Sequence, residues 1–498
     1  MCLLGLDIGT SGCKATLVDE SGLIKAQAYE EYSLISEQPG WEELDPEAVW
    51  KAVLRVMSSV LRQYPGKPVR AIGVSSFGEA TVPVAANGQV LGNSMIYIDQ
   101  RGNEEADYLR GHLGDEKVLS ITGTYIQPMY SVCKVMWLKK HRPDLYKRTW
   151  KFLLFADYIL FRLGGSPATD YSLAARTMAF DIRKKSWSDE IFACAGLDQH
   201  KFGEPVQSGT PVGTLSDACA RLLGLSNNVM LVAGGHDQPC AALGAGVTRP
   251  GLAVDGLGTT ECITPAFDRP LLTRAMADNH FASVPHVAAG LYVTYAFTFT
   301  SGGILKWYRD NLGLQYKQTA EKLGVNVYDL MIGQAAPGPS SVRVLPHFAG
   351  AATPYMDTTA KGAILGLTIN TKPEDLLKGI LEGITFEMML NVEKLELAGV
   401  FIDELLAVGG LAKSPVFLQL KADMMGKKIT TLQEPEAGTI GVAILAGTAS
   451  GLFKNTDEAV ARLVRKKTTF YPDSALHNVY QDKFTVYKKL YKAIKPFN

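Results

Sequence analysis

Two acidic residues stand near the ends of apolar strands, each beside glycine. Asp7 follows Leu3–Leu6 and opens Ile8-Gly9-Thr10-Ser11-Gly12. Asp237 follows Val229–Val232 and the turn Gly234-Gly235-His236. A carboxylate at the end of a buried strand needs a cation beside it or a turn to close, and Asp7 fits either need. Asp237 opens a small-residue helix and suits two roles. One is a helix N-cap; the other is a base that orients a hydroxyl at a cleft edge. The glycines and hydroxyls after Asp7 can present N–H and O–H donors to phosphate. These are parts for phosphoryl transfer, which needs positioning, charge neutralisation and a group to orient the attacking hydroxyl.

Any phosphate chemistry here uses an uncommon cradle. The sequence has no GxxxxGK[ST] loop, no GxGxxG opening a helix and no HExxH zinc motif. Its seven cysteines are scattered and form no CxxC pair. That argues against a disulfide framework or a zinc site and favours a reducing, cytoplasmic setting. Lys plus Arg and Asp plus Glu both number 50, so neither nucleic acid nor an anionic membrane is expected as a partner. No run approaches the roughly 18 apolar residues of a membrane span, and no basic stretch precedes an apolar one at the start.

With 498 residues the chain is long for one core, so two domains are expected, 1–246 and 247–498. An internal echo supports the division. Ala253-Val-Asp255-Gly-Leu-Gly258-Thr259-Thr260 resembles the Asp7 turn: an apolar strand, an acid, then Gly-Thr-hydroxyl. Leu405–Val408 followed by Gly409-Gly410 resembles the strand and turn before Asp237. Strands alternate with helices, which makes the class α/β. Asp45-Pro46 starts one helix, a second runs from Thr371–Pro373 to Gly399, and Ile440–Phe453 reads as a buried helix. A terminal helix over 473–497 carries Tyr480, Phe484, Tyr487 and Tyr491 as a packing stripe, and is expected to lie back on the first domain.

At these residues the sequence resembles the FGGY carbohydrate kinases. Asp7-Ile-Gly-Thr-Ser-Gly-Cys-Lys14 is similar to the family's first phosphate motif. Met129-Tyr-Ser131-Val-Cys-Lys134 through His141 fits its first signature, and Lys361–Leu367 running to Leu381-Glu-Gly383 its second. The resemblance implies two ribonuclease-H-like domains, as in actin and hexokinase, flanking a cleft. It implies ATP as phosphate donor, Mg2+ at Asp7, and a small sugar as acceptor with Asp237 as the base. Thr10, Ser11, Gly12 and Lys14, with Gly258, Thr259 and Thr260, would meet the nucleotide phosphates. Gly302, Gly409, Gly410 and Ser414 would meet its adenosine end. Gly78, Glu79, Asp99, Asp237 and Gln238 would meet the sugar, since polyols are recognised by carboxylates and amides that pair with adjacent hydroxyls. His236 is read as shaping the turn. A homodimer is compatible with the sequence, which does not determine the oligomeric state.

The sugar-side residues mix family patterns. Gly78-Glu79 stands where xylulokinases often have Met-His and glycerol kinases Arg-Glu. Phe77-Gly78 and Gly235-His236-Asp237 are similar to fuculokinases, and Asp99 to xylulokinases. Glu79 has no arginine near it in sequence, which counts against glycerol. A ketopentose such as D-xylulose is the first expectation, with L-fuculose or another deoxyketose or polyol next. An actin-like or chaperone-type ATPase would share the Asp-x-Gly-Thr turn, but the chain lacks the peptide-binding tail of the chaperones. A catalytically dead sugar sensor is disfavoured by intact Asp7 and Asp237.

Overall fold

The computed structural model describes residues 1–434 and 436–497. Each half of the chain is built on its own twisted sheet. In the first, β1 (Cys2–Ile8), β2 (Gly12–Asp19) and β3 (Ile24–Glu31) form an antiparallel meander. Parallel to β1 runs β4 (Val69–Ser76), followed by β5 (Pro211–Thr214) and β6 (Met230–His236), in the order β5-β6-β4-β1-β2-β3. The second sheet repeats the plan. Its β7 (Gly251–Leu257) and β8 (Glu261–Phe267) form the hairpin. Beside β7 lie β9 (Ile402–Val408), β10 (Lys428–Leu432) and β11 (Lys466–Phe470), in the order β8-β7-β9-β10-β11. The strands nearest the middle of each sheet are almost wholly buried, which is why they read as continuous apolar runs rather than alternating ones.

Seven helices matter for the site. They are α1 (Pro46–Gln63), α2 (Asp237–Gly244), α3 (Gly302–Asn311), α4 (Pro373–Leu397), α5 (Pro415–Met425), α6 (Ala437–Ala449) and α7 (Ser474–Tyr487). The Asp45 side chain caps α1 by accepting from the Glu47 N–H, with Pro46 in the first turn, as its sequence predicts.

The boundary between halves is crossed by α6. It belongs by sequence to the second half, yet lies on β1, β4 and β6 of the first sheet and against α2. Its Ile440, Val442, Ala443 and Ile444 share one buried cluster with Leu3, Ala71, Val232 and Leu243. Glycine makes the approach close enough. A Cβ on Gly73 would sit 2.6 Å from the Val442 carbonyl oxygen, and one on Gly5 would overlap the Thr439 carbonyl. Where α2 and α6 cross, a Cβ on Gly441 would overlap the Cys240 carbonyl.

The terminal helix does not return to the first domain. Instead α7 packs on α5 and α4: Tyr480 donates to Glu382 at 3.1 Å and Tyr487 to Glu387 at 2.5 Å, with Phe386 stacked against Phe484 and Tyr487. Two buried carboxylates on α4 need donors, and the tyrosine stripe supplies them.

At the crossing, Gly441→Ala forces a methyl group into backbone that a side-chain shift cannot relieve. A loss of about 1–3 kcal/mol of stability is expected, whereas Gly111→Ala, at an exposed helix position with open space around it, is expected to gain up to about 1 kcal/mol. Urea unfolding measures both.

Candidate active site

The first turn of α2 sets the centre of the site. His236 closes β6 in extended conformation and Asp237 is the first helical residue, so its carboxylate stands beside the helix N-terminus. Its Oδ1 accepts from the Gln238 N–H at 2.6 Å and lies 3.1 Å from His236 Nε2. About a third of the side chain is exposed. Burial, together with the negative charge of Asp7 and more weakly that of Glu79, pushes the Asp237 carboxyl up to about 8, against a smaller pull from Arg176. Asp7 is itself raised, chiefly by burial. Ser75 Oγ donates to its Oδ1 at 2.6 Å, and Gly438 in the first turn of α6 passes close to its Oδ2. The Lys14 ammonium is occupied elsewhere, 2.5 Å from Glu436.

The strand register explains why only one hairpin carries an acid into the cleft. In the first, Ile8 pairs with Cys13 next to the turn. In the second, Leu257 pairs with Glu261 there. The counterpart of Asp7 is therefore Gly256, and Asp255 lies one residue earlier. Successive strand residues face opposite sides, so Asp255 points into the core. There it and Glu261 share the ammonium of Lys421, all three fully buried. The second Glu261 oxygen accepts from Ser301 Oγ at 2.8 Å.

On the sugar side, Glu79 adopts a left-handed backbone (φ 66°) and is buried. It does have an arginine partner, supplied from 97 residues away: Arg176 Nε donates to Glu79 Oε1 at 2.6 Å and Nη2 donates to the same oxygen. Proximity along the sequence gave no sign of it. The Arg176 guanidinium lies 5.1 Å from the Tyr130 ring centroid and 5.9 Å from that of Tyr295. The Tyr295 hydroxyl meets His236 Nδ1 at 3.2 Å. Burial and the neighbouring guanidinium keep His236 neutral, so it links Tyr295 to Asp237 as well as shaping the turn.

Asp99 is placed differently from the other expected sugar residues. Its carboxylate is fully enclosed, accepting from the N–H groups of Arg101 and Glu42 and from Arg101 Nε and Nη2. No lone pair remains for a ligand. Arg101 is in turn clasped between Trp41 and Trp137, at 4.0 and 5.0 Å from their ring centroids. What this cluster presents outward is the loop with Tyr97 and Ile98, both exposed.

Across the cleft, the turn Gly258–Thr260 is exposed and docks on the start of α3. Ser301, Gly302 and Gly303 donate their N–H groups to the carbonyls of Gly258 and Thr259 at 2.9–3.0 Å. Gly302 is needed for that docking, because a Cβ there would lie 2.7 Å from the Gly258 carbonyl. Ser11 is exposed and Thr10 half-buried at the tip of the first hairpin, whereas Gly12 is buried where any side chain would strike Tyr29 and Glu30. Gly409 (φ 97°) and Gly410 form an exposed turn, and Gly409 edges a cavity of about 530 Å³ with Lys413, Thr431 and Gln433. Ser414 caps α5 through the Phe417 N–H. Among the described residues no group of three or more His, Cys, Asp or Glu forms a metal cage, and no helix is long and apolar enough to cross a membrane.

A strand–turn–strand hairpin opens each half, with an acid at the foot of the first and another at the start of α2, and the chain matches a known family over most of its length. Residues 2–244 fit the N-terminal domain of the FGGY family of carbohydrate kinases and residues 256–450 its C-terminal domain. The chain belongs to the FGGY family. It is a carbohydrate kinase, and kinases of this family use ATP as phosphate donor. Xylulose kinase of Bacillus subtilis is 28% identical over 498 residues, covering 100% of this chain and 98% of that one. Gluconokinase of Bacillus licheniformis is 25% identical over 466 residues, 91% of this chain and 89% of the relative. The crystal structure of xylulose kinase from Rhodospirillum rubrum superposes with a TM-score of 0.90 at 24% identity, covering 100% of this chain and 99% of that one, and shows the same fold.

For this FGGY kinase the raised Asp237 carboxyl has a stability consequence. A carboxyl whose folded pKa lies near 8 rather than near 4 favours folding fully only below about pH 4. That contribution is lost as pH rises through about 8. Asp237→Asn, which cannot ionise, is therefore expected to gain Tm over the wild type as pH rises from 5 to 9 in the absence of ligands. Calorimetry at several pH values checks this; a constant difference would mean that the fold does not raise the Asp237 carboxyl.

Proposed function

We propose that the chain transfers the γ-phosphoryl group of ATP to a hydroxyl of a small neutral sugar. A ketopentose such as D-xylulose comes first, and L-fuculose or another deoxyketose next. Asp237 is the general base: it takes the proton of the acceptor hydroxyl as that oxygen bonds to phosphorus and ADP departs. The observation that carries this reading is the Asp237 carboxylate at the start of α2, close enough to Asp7 to feel its charge, with the Glu79–Arg176 pair beside it.

Two neighbouring acids, Asp237 raised by burial and by the charge of Asp7 and Asp7 raised chiefly by burial, form a donor set short of a cation, which fits Mg2+. Asp7 would hold it, largely through water, since Mg2+ takes one or two carboxylates and the substrate phosphates rather than a protein cage. Bound there, it supplies positive charge to the phosphates and lowers the proton affinity of the neighbouring acids. Thr10 and Ser11 from one hairpin and Thr259 and Thr260 from the other offer hydroxyls and N–H groups to the same phosphates. Glu79 and Gln238, with Asp237, are the sugar contacts; Asp99 acts beneath them by holding the Tyr97 loop.

A neutral acceptor is favoured over a sugar acid by the local charge. The charge of Arg176 is already matched by Glu79, so it leaves no surplus positive charge beside Asp7 and Asp237. An aldonate carboxylate placed there finds no unmatched cation to pair with. The relatives named for xylulose cover the whole chain and agree with this choice.

ADP release over a panel of ketopentoses, deoxyketoses, tetritols, glycerol and gluconate tests the acceptor class. In the same assay Asp237→Ala is expected to lower kcat by several orders of magnitude with KM for ATP little changed. A fall of less than about tenfold, worth only 1.4 kcal/mol of barrier, would remove Asp237 from the role of base.

A further inference from the structure

The glycine at position 78 and the arginine at 176 are one device. A Cβ at residue 78 would lie 2.7 Å from Cγ and 2.9 Å from Cβ of Arg176, so the arginine stem fills the space where a side chain at 78 would go. The stem arrives on the short helix Tyr171–Ala175, whose start is pinned by Asp170 accepting from the Ser172 and Leu173 N–H groups. Ser172 Oγ in turn accepts from the His236 N–H at 2.9 Å, next to the base. The helix that leads into Arg176 and the turn that carries Asp237 are therefore directly hydrogen-bonded.

The orientation of the pair matters as much as its place. Both recorded bonds from Arg176 end on Oε1 of Glu79, which leaves Oε2 as an acceptor. The guanidinium lies near the faces of Tyr130 and Tyr295, and its charge is felt by both Asp237 and His236. A carboxylate oxygen beside a guanidinium offers one acceptor and one donor side by side. Two adjacent hydroxyls, each both donor and acceptor, match that pattern.

We propose that Arg176, seated over Gly78 and locked to Glu79, is a specificity-determining residue of the sugar pocket, reading a pair of adjacent hydroxyls on a neutral acceptor. This rests on the sugar-kinase reading above. Glu79 tunes the charge that Arg176 shows: paired, the two select neutral polyols; with Glu79 neutralised, the free guanidinium turns the pocket toward anions.

The test uses the full-length enzyme, the best neutral sugar found in the panel, and gluconate as the anionic probe. Arg176→Lys and Arg176→Gln are expected to raise KM for the neutral sugar roughly ten- to a hundredfold, with KM for ATP within about twofold. Glu79→Gln is expected to raise kcat/KM for gluconate relative to the neutral sugar by at least about tenfold, and Arg176→Gln in that background to abolish the gain. Thermal melting and ATP affinity confirm that each variant is folded; if Arg176→Gln does not fold, Arg176→Lys and Glu79→Gln still decide. Unchanged sugar KM in folded Arg176 variants, or no shift toward gluconate in Glu79→Gln, overturns the proposal. If instead the wild type phosphorylates no neutral sugar, the sugar-kinase reading itself fails, and that outcome is distinct.

Discussion

The arrangement depends first on the close crossing of α2 and α6 over the first sheet. Small residues at the crossing bring two backbones within contact distance, and glycines in β1 and β4 let α6 sink onto the strands. The consequence is positional. The start of α2 delivers Asp237, the start of α6 passes over Asp7, and both starts lie at the same end of the sheet. Since α6 comes from the second half of the chain, the crossing also ties the two halves together beside the reacting groups.

Charge is treated oppositely in the two hairpins. In the second, Asp255 and Glu261 share the one ammonium of Lys421 inside the core, and burial raises the Asp255 carboxyl; removing one partner of such a buried ion pair commonly costs about 3–5 kcal/mol. That cluster braces the hairpin and, through Ser301, the start of α3 on which the exposed turn rests. In the first hairpin Asp7 has a serine hydroxyl and, among the described residues, no cation in a salt bridge with it; Lys14 is held by Glu436. The first hairpin thus keeps an acid without a salt-bridge partner, while the second holds its acids on a buried lysine. Negative charge left unbalanced near Asp237 is what a cation carried in with the nucleotide would offset.

The sequence by itself determined the class, the two-sheet plan, the hairpin tips and the turn that carries Asp237. Each is a local signal. Apolar runs with glycine turns specify strands and tight connections, Pro46 and Pro373 mark helix starts, and the Gly-Gly-His-Asp237 order places an acid at a helix N-terminus whatever surrounds it. Tertiary structure alone decided the rest, and in every case the reason is a partner distant along the chain. Asp255 looks like a second Asp7 until strand register, shifted by one residue, turns it into the core toward Lys421. Glu79 looks unpaired until a helix almost a hundred residues later brings Arg176 into the space left by Gly78. Asp99 looks like a sugar ligand until Arg101 and the Glu42 N–H take all its lone pairs. The terminal helix follows donors rather than chain order, pairing its tyrosines with carboxylates on α4. Local pattern reveals which residues can do chemistry; only packing decides which of them retain a free lone pair or an unmatched charge with which to do it.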